Sequence, residues 1–319
     1  MGKILSFIEG YMSGNAWEEL CVECYRMRYQ DNHYRNIPAV HRGDAGIEGF
    51  TLNGVVHQCY CPEREYSDDD LYKHQRDKLT DDINKLMKNA ERLKKLGVPS
   101  IREWHFNMPE YRDDRIISHI ASKQKEVLSA KAKNPSNFEH IADDFQTIPK
   151  IAEDFKPEIS RIIRTTVTDM RLNLAVQHTI APDWNQCDSQ KVGNITRKIK
   201  AVMQVDDESN SDLNDVINIY VEFYISGLEI MNRLRTSFPE IYEDIFQLEQ
   251  SYKRDVSIKT KMNTNHSMNK DIFESILVDF ESKLRQDFSK MLTSASISEL
   301  KQDLVASWLA DCSMEFRSA

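Results

Sequence analysis

The run Gly43-Asp44-Ala45-Gly46-Ile47-Glu48-Gly49-Phe50, followed eight residues on by Gln58-Cys59-Tyr60-Cys61-Pro62, is the stretch whose residue types can do chemistry. Carboxylates at a strand end, with a second polar position on the paired strand, present oxygens to a hard cation such as Mg²⁺. A cation held this way activates water and neutralises a phosphodiester in its transition state. The same Asp-x-Gly-x-Glu-Gly spacing also suits a plain turn shaped by Asp44 and Gly46, with Glu48 a solvated strand residue. A second set is Cys21-x-x-Cys24 with Cys59-x-Cys61, four thiolates that could hold zinc. One pair falls in a helical stretch and the other in a strand, whereas zinc knuckles sit in tight turns. These cysteines therefore read as small buried residues, and zinc is not expected. His41, His57, His105 and His140 are present, but no spacing orders them near a thiol, so cysteine nucleophilic catalysis has little to stand on.

The surrounding pattern says which elements must carry these groups. Residues 16–28 read as a helix with Trp17, Leu20, Cys21, Cys24 and Tyr25 on one face. Residues 37–40 read as a short apolar strand and residues 50–61 as a hairpin pivoting on Asn53-Gly54. Ser67 before three aspartates starts a helix that is expected to run to Leu96 and stop at Gly97. A strand over 101–108, a helix over 113–130, a polar break at 131–137 and an edge strand over 138–143 follow. Beyond residue 155 strand signals fade. Residues 215–234 are apolar nearly all round, as in a central bundle helix. The stripe Ile272, Ile276, Phe280, Leu284 and Phe288 marks another helix, and Ser296-x-x-Glu299 a capping box opening the last one. Residues 206–212 and 256–269 are polar enough for loops. The expected architecture is an α/β domain over 1–150, a mixed sheet flanked by helices, followed by an all-α helical bundle over 151–319.

Composition narrows the function. With 42 basic and 51 acidic residues the net charge is −9, so nucleic acid can be met only through a local basic face. Lys85, Lys88, Arg92, Lys94 and Lys95 crowd one helix end and supply such a face, although a solvated surface produces the same crowd. Glycine is sparse, and neither Gly-x-x-x-x-Gly-Lys nor Gly-x-Gly-x-x-Gly occurs, which argues against the common nucleotide-cradling loops. No run of 18 apolar residues is present, so no membrane partner is expected. Six scattered cysteines fit a reducing cytoplasm.

A helix bearing Trp17-Glu18-Glu19-Leu20, a strand, Gly-Asp-x-Gly-Ile-Glu-Gly and a hairpin partner beginning at Gln58 resembles the core of the restriction-endonuclease-like superfamily. The likeness is to the Mrr-type branch of the PD-(D/E)xK nucleases and covers about residues 14–110. That branch carries Phe-Glu on its first helix, Gly-Asp-x-Gly-Ile-Asp-Gly on its second strand and Gln-x-Lys on its third. The resemblance implies Glu18 as the helix glutamate, Glu48 as the metal-binding acid, Gln58 beside it on Mg²⁺ or Mn²⁺, and Asp44 as a further metal group. It implies cleavage of DNA, less so RNA, in a bacterial defence or restriction system, with the helical half docking a protein partner such as an ATPase.

The departure is Tyr60, which stands where the family has its lysine. A lysine stabilises developing charge, and a neutral phenol does this poorly. In this superfamily the lysine sometimes moves to the following helix, where Lys78 and Lys73 are the candidates. Without a replacement the chain is an inactive endonuclease-like scaffold or nucleic-acid-binding subunit. The site also depends on register. Asn53-Gly54 alone favours a two-residue turn, which pairs Glu48 with Cys59 and turns Gln58 to the opposite face. A three-residue loop with Gly54 left-handed pairs Thr51 with Val55 and puts Glu48, Gln58 and Tyr60 on one face. The likeness requires the longer loop, and we expect it.

Overall fold

The computed structural model describes residues 4–10, 12–37, 45–174, 188–207, 209–311 and 313–316. The chain divides into two compact units, Met1–Ser6 with Gly10–Ile162 and Phe7–Glu9 with Ile163–Ala319.

The first unit is built on a five-stranded mixed sheet: β1 (Arg35–Asn36), β2 (Gly49–Phe50), β3 (Val55–Cys59), β4 (Ile101–Asn107) and β5 (Ile141–Lys150), adjacent in that order. β1 to β3 run antiparallel, and β3 to β5 are parallel. Parallel neighbours need crossovers, supplied by α2 (Asp68–Lys88) with α3 (Ala90–Lys95), then by α4 (Arg115–Lys133). Side chains alternate along a strand, so the sheet has two characters. Phe50, Val56, Trp104 and Phe106 join Leu79, Ile83, Ile116 and Ile120 in an apolar core against α2 and α4. His57, Cys59, His105 and Asn107 belong to the other face, met by Trp17, Cys21 and Tyr25 of α1 (Gly14–Arg28).

Local chemistry accounts for the boundaries. Ser13 caps α1 by accepting from Ala16 N–H, and Ser67 caps α2 by accepting from Asp70 N–H. The expected continuous helix to Leu96 breaks at Asn89, whose side-chain amide donates to the Lys85 carbonyl and so competes with the helical ladder. The edge strand is longer than the sequence suggests and begins at Ile141, since Phe138 belongs to a short 3-10 turn. Its Pro149 is tolerated because β5 lies at the edge of the sheet. β1 occupies Arg35–Asn36, and residues 38–40 of the expected first strand lie outside the described residues.

α5 (Lys156–Thr165) runs across the division at Ile162, and the second unit is helical: α6 (Ser189–Met203), α7 (Ser211–Ser237), α8 (Pro239–Lys261), α9 (Asn269–Phe288) and α10 (Ser294–Ala310). α10 packs on α7, α9 and α6, with Trp308 wholly buried between Phe280 and Tyr252. Several sequence expectations fail here: α7 begins at Ser211, inside the loop expected over 206–212, and exposes Ile219 and Leu228 where an all-round buried helix was expected. Residues 256–261 extend α8 rather than forming a loop, because Val256 and Thr260 are buried and Thr260 Oγ1 bonds back to the Val256 carbonyl. The last helix opens at Thr293, not Ser296: Thr293 Oγ1 accepts from Ser296 N–H, while the Ser296 hydroxyl accepts from Leu174 N–H.

Candidate functional site

The β2–β3 hairpin sets the geometry. Thr51 N–H donates to the Val55 carbonyl (2.9 Å), Gly54 N–H to the Thr51 carbonyl (3.2 Å), and Gly54 has φ +88°. This is the three-residue loop, and Gly49 pairs with His57. Glu48 therefore lies beside Gln58, whose Nε2 donates to Glu48 Oε1 at 3.1 Å. Both side chains are buried. Gln58 meets Glu48 through its amide nitrogen, so its contact orients the carboxylate.

The segment before Glu48 is pinned to the core. Trp104 Nε1 donates to the Gly46 carbonyl (2.9 Å), and Gly46 has φ +86°. A Cβ at Gly46 would fall 2.4 Å from the Asp82 carbonyl and 2.7 Å from Leu86 N. The glycine that the sequence marks as part of a site is thus required by the close approach of α2. Asp44 lies outside the described residues.

Glu48 opens onto a cleft of about 420 Å³ shared with Glu18, Cys59, Tyr60, Cys61, Glu63, Tyr66, His74 and Lys78. Glu18 comes from α1 and Lys78 from α2, so the cleft gathers three of the four expected catalytic residues, with Gln58 bonded behind Glu48. Lys78 Nζ pairs with Asp82 Oδ2 (2.8 Å), and Lys85 Nζ with Asp82 Oδ1 (2.9 Å). Burial raises the Asp82 carboxyl, and its two lysines oppose that shift. Lys73 pairs with Asp69 (2.7 Å) and Asp70 (3.3 Å) and is not among the cleft residues. Tyr60 packs near Phe106 with ring centroids 6.4 Å apart. Of the expected basic face, Lys85, Lys88, Lys94 and Lys95 are exposed and Arg92 half-buried, with Lys85 engaged by Asp82.

Several residues of the cleft, Glu63, Tyr66 and His74 among them, were not singled out by sequence. His74 lies one helical turn before Lys78 and packs against Tyr66, ring centroids 4.4 Å apart. The i, i+4 spacing of His74 and Lys78 was available as a signal.

A buried polar network on the α1 face was also missed. His57 stacks on Tyr25 at 4.1 Å, and Asn107 Nδ2 approaches His57 Nδ1 at 3.3 Å. An amide nitrogen only donates, so Nδ1 accepts and the ring proton resides on Nε2, 2.8 Å from Tyr34 Oη. Tyr25 Oη lies 2.6 Å from His105 Nδ1, and His105 Nε2 is 2.9 Å from Glu103 Oε2. Burial pushes both His57 and His105 down to about 3, the first helped by its neighbour His105 and the second by Lys150. Cys59 Sγ lies 3.8 Å from His57 Nδ1, so a thiol does meet an imidazole, contrary to the expectation from spacing. Burial, then Cys21 and Glu48, push the Cys59 thiol up, so the pair is neutral and lacks the thiolate of a cysteine nucleophile. Glu48, His57 and Cys59 together place one ligand atom each within 4.8 Å of one another.

No family model, curated protein or solved structure matches the chain. Among the described residues no helix is long and apolar enough to cross a membrane.

Proposed function

We propose that the first unit is a metal-dependent nuclease of the restriction-endonuclease-like kind, DNA its favoured substrate, acting in the cleft around Glu48. The observation that carries this reading is the hairpin register, which bonds Gln58 to Glu48 at 3.1 Å beside a cleft that also receives Glu18 and Lys78. The order of elements supports it as well: a helix, an antiparallel hairpin, then two parallel strands reached through helices.

The donor set fits a hard divalent cation. Glu18 and Glu48 bring carboxylate oxygens from two elements into one solvent-reaching cleft, which suits Mg²⁺ or Mn²⁺. When bound, such an ion supplies Lewis acidity and a more acidic water. The chain's own residues do the rest. Gln58 fixes the Glu48 carboxylate, and the hairpin fixes Gln58. Lys78 brings positive charge to the cleft and stabilises the charge that grows on a phosphate oxygen, with Asp82 tethering it there. Tyr66 and His74 pack on each other and add an aromatic wall to the cleft. The basic residues at the end of α2 and in α3 follow the phosphate backbone. The helical unit docks a protein partner in the defence or restriction setting that the likeness implies; exposed Leu228 and Phe246, beside Tyr242, supply apolar surface for it.

One observation favours a second reading, a scaffold that binds nucleic acid without cutting it: Tyr60 takes the usual lysine's position and packs towards the core. Plasmid DNA and single-stranded RNA incubated with the full chain, with Mg²⁺, Mn²⁺ or chelator, separate the two. Cleavage that needs the ion supports the nuclease; tight binding with no cleavage under either ion makes the scaffold the better account.

A further inference from the structure

The Glu48 carboxylate is shared between two donor sets. Toward the cleft it belongs with oxygens; toward α1 it belongs with an imidazole nitrogen and a thiol. We propose that Glu48, His57 and Cys59 form a binding site for one thiophilic divalent cation, zinc above all, distinct in chemistry from the hard-ion site of the cleft.

The geometry gathers the three ligand atoms around one point. The three candidate ligand atoms lie within 4.8 Å of one another, and His57 Nδ1 and Cys59 Sγ are 3.8 Å apart. Ligand atoms around tetrahedral zinc are separated by about 3.5 Å, so a rotation of the carboxylate and withdrawal of the Asn107 amide bring the set together. The imidazole is already oriented. Asn107 Nδ2 bridges the two candidate ligands, 3.3 Å from His57 Nδ1 and 3.6 Å from Cys59 Sγ, so the lone pairs an ion would take now accept from one amide that the ion displaces, while Nε2–H faces Tyr34 Oη. A second hydrogen bond holding the non-ligating ring nitrogen is the usual support of a metal-bound histidine. Tyr25, stacked on the ring at 4.1 Å, prevents it from turning. An entry path exists, because Cys59 and Glu48 both line the cleft. Nitrogen, sulfur and oxygen donors together suit zinc and not Mg²⁺, which takes oxygen alone. As the ion binds, the Cys59 S–H bond breaks, sulfur keeps the electron pair for the metal, and the proton passes to solvent.

The binding stands without the nuclease reading. A consequence rests on that reading: an ion on this set engages the carboxylate that the hydrolytic ion needs, so zinc inhibits cleavage.

The test uses the reduced, metal-stripped full chain, titrated with Zn²⁺ and with Co²⁺ in excess Mg²⁺. The expected result is one tight equivalent of zinc and a cobalt complex with thiolate-to-metal charge-transfer absorption. Cys59→Ser should remove that absorption and weaken zinc at least about tenfold, the smaller end of what losing even a supporting group of a metal site costs; Cys24→Ser should keep both. Zinc-edge X-ray absorption of the unsubstituted protein reads the same point without any variant: sulfur in the ligand shell supports the site. A shell of oxygen and nitrogen alone, no stoichiometric zinc, or a charge-transfer band that survives Cys59→Ser overturns it. Absence of cleavage in Mg²⁺ or Mn²⁺ with zinc binding intact defeats only the nuclease reading.

Discussion

At the scale of single residues, Lys78 and Lys73 separate cleanly. Lys78 lines the cleft and Lys73 is paired with Asp69 and Asp70. Lys78→Ala should slow cleavage by about 10²–10³-fold, the loss seen when one electrostatic donor is removed, while Lys73→Ala should leave single-turnover rates nearly unchanged. Equal losses would contradict the assignment. A second residue prediction concerns Asp303 of α10, wholly buried opposite Gly227, where an added Cβ would fall 3.0 Å from Asp303 Cβ. Burial, then Glu299, lifts its carboxyl to about 8. The unfolded chain titrates near pH 3.9, so between about pH 4 and about pH 8 the folded state holds a proton that the unfolded state has lost. Stability therefore falls as pH rises through this window, by up to about 1.4 kcal/mol per pH unit, and flattens above it. Asp303→Asn should reduce that slope in thermal unfolding curves; an unchanged slope would rule Asp303 out as its source. That Glu48 and Gln58 would meet was legible in the sequence because one short hairpin joins them, whereas Glu18 came only from the likeness. The His57–Cys59–Asn107 network was not legible, because it depends on which residues of β3 and β4 share a face across a crossover.

Among the elements, the hairpin shows how a local rule yields to its surroundings. Asn53-Gly54 on its own favours the shorter turn, yet Thr51 Oγ1 accepts from Val55 N–H (2.9 Å) and so stabilises the longer loop. That choice decides which face Gln58 occupies, and with it whether the site exists. The break at Asn89 was illegible because apolar periodicity runs through it and only side-chain competition for a backbone carbonyl marks it; the late start of β5 was illegible because Phe138 looks like strand but closes a 3-10 turn. The Gly46 segment gives the element-scale prediction. Gly46→Ala places a Cβ against the backbone of α2 at a positive φ, so it should destabilise the first unit by more than about 1 kcal/mol in denaturant titrations. A neutral result would mean that the approach of α2 to this segment is looser than 2.4 Å implies.

For the whole molecule, the proposed grip on nucleic acid by a chain of net charge −9 rests on a local patch. If Lys88 and Lys95 both meet phosphates, replacing the pair with alanine should lower the salt dependence of binding by about two ions and weaken binding alike on all sequences. An unchanged salt slope would move the contact elsewhere. The division into a mixed-sheet unit and a helical unit was readable from the switch between alternating and helical periods, whereas helix ends in the second unit were set by burial of Val256 and by the Thr293 cap. The central claim is that the Glu48 cleft cuts phosphodiesters through a bound ion. Single-turnover cleavage by Glu48→Gln beside the wild type, in Mn²⁺ with zinc removed, tests it most directly, because the substitution keeps shape and removes charge. The account predicts nucleic-acid binding within about twofold and cleavage reduced by at least about 10³-fold. Cleavage by Glu48→Gln at the wild-type rate would contradict it.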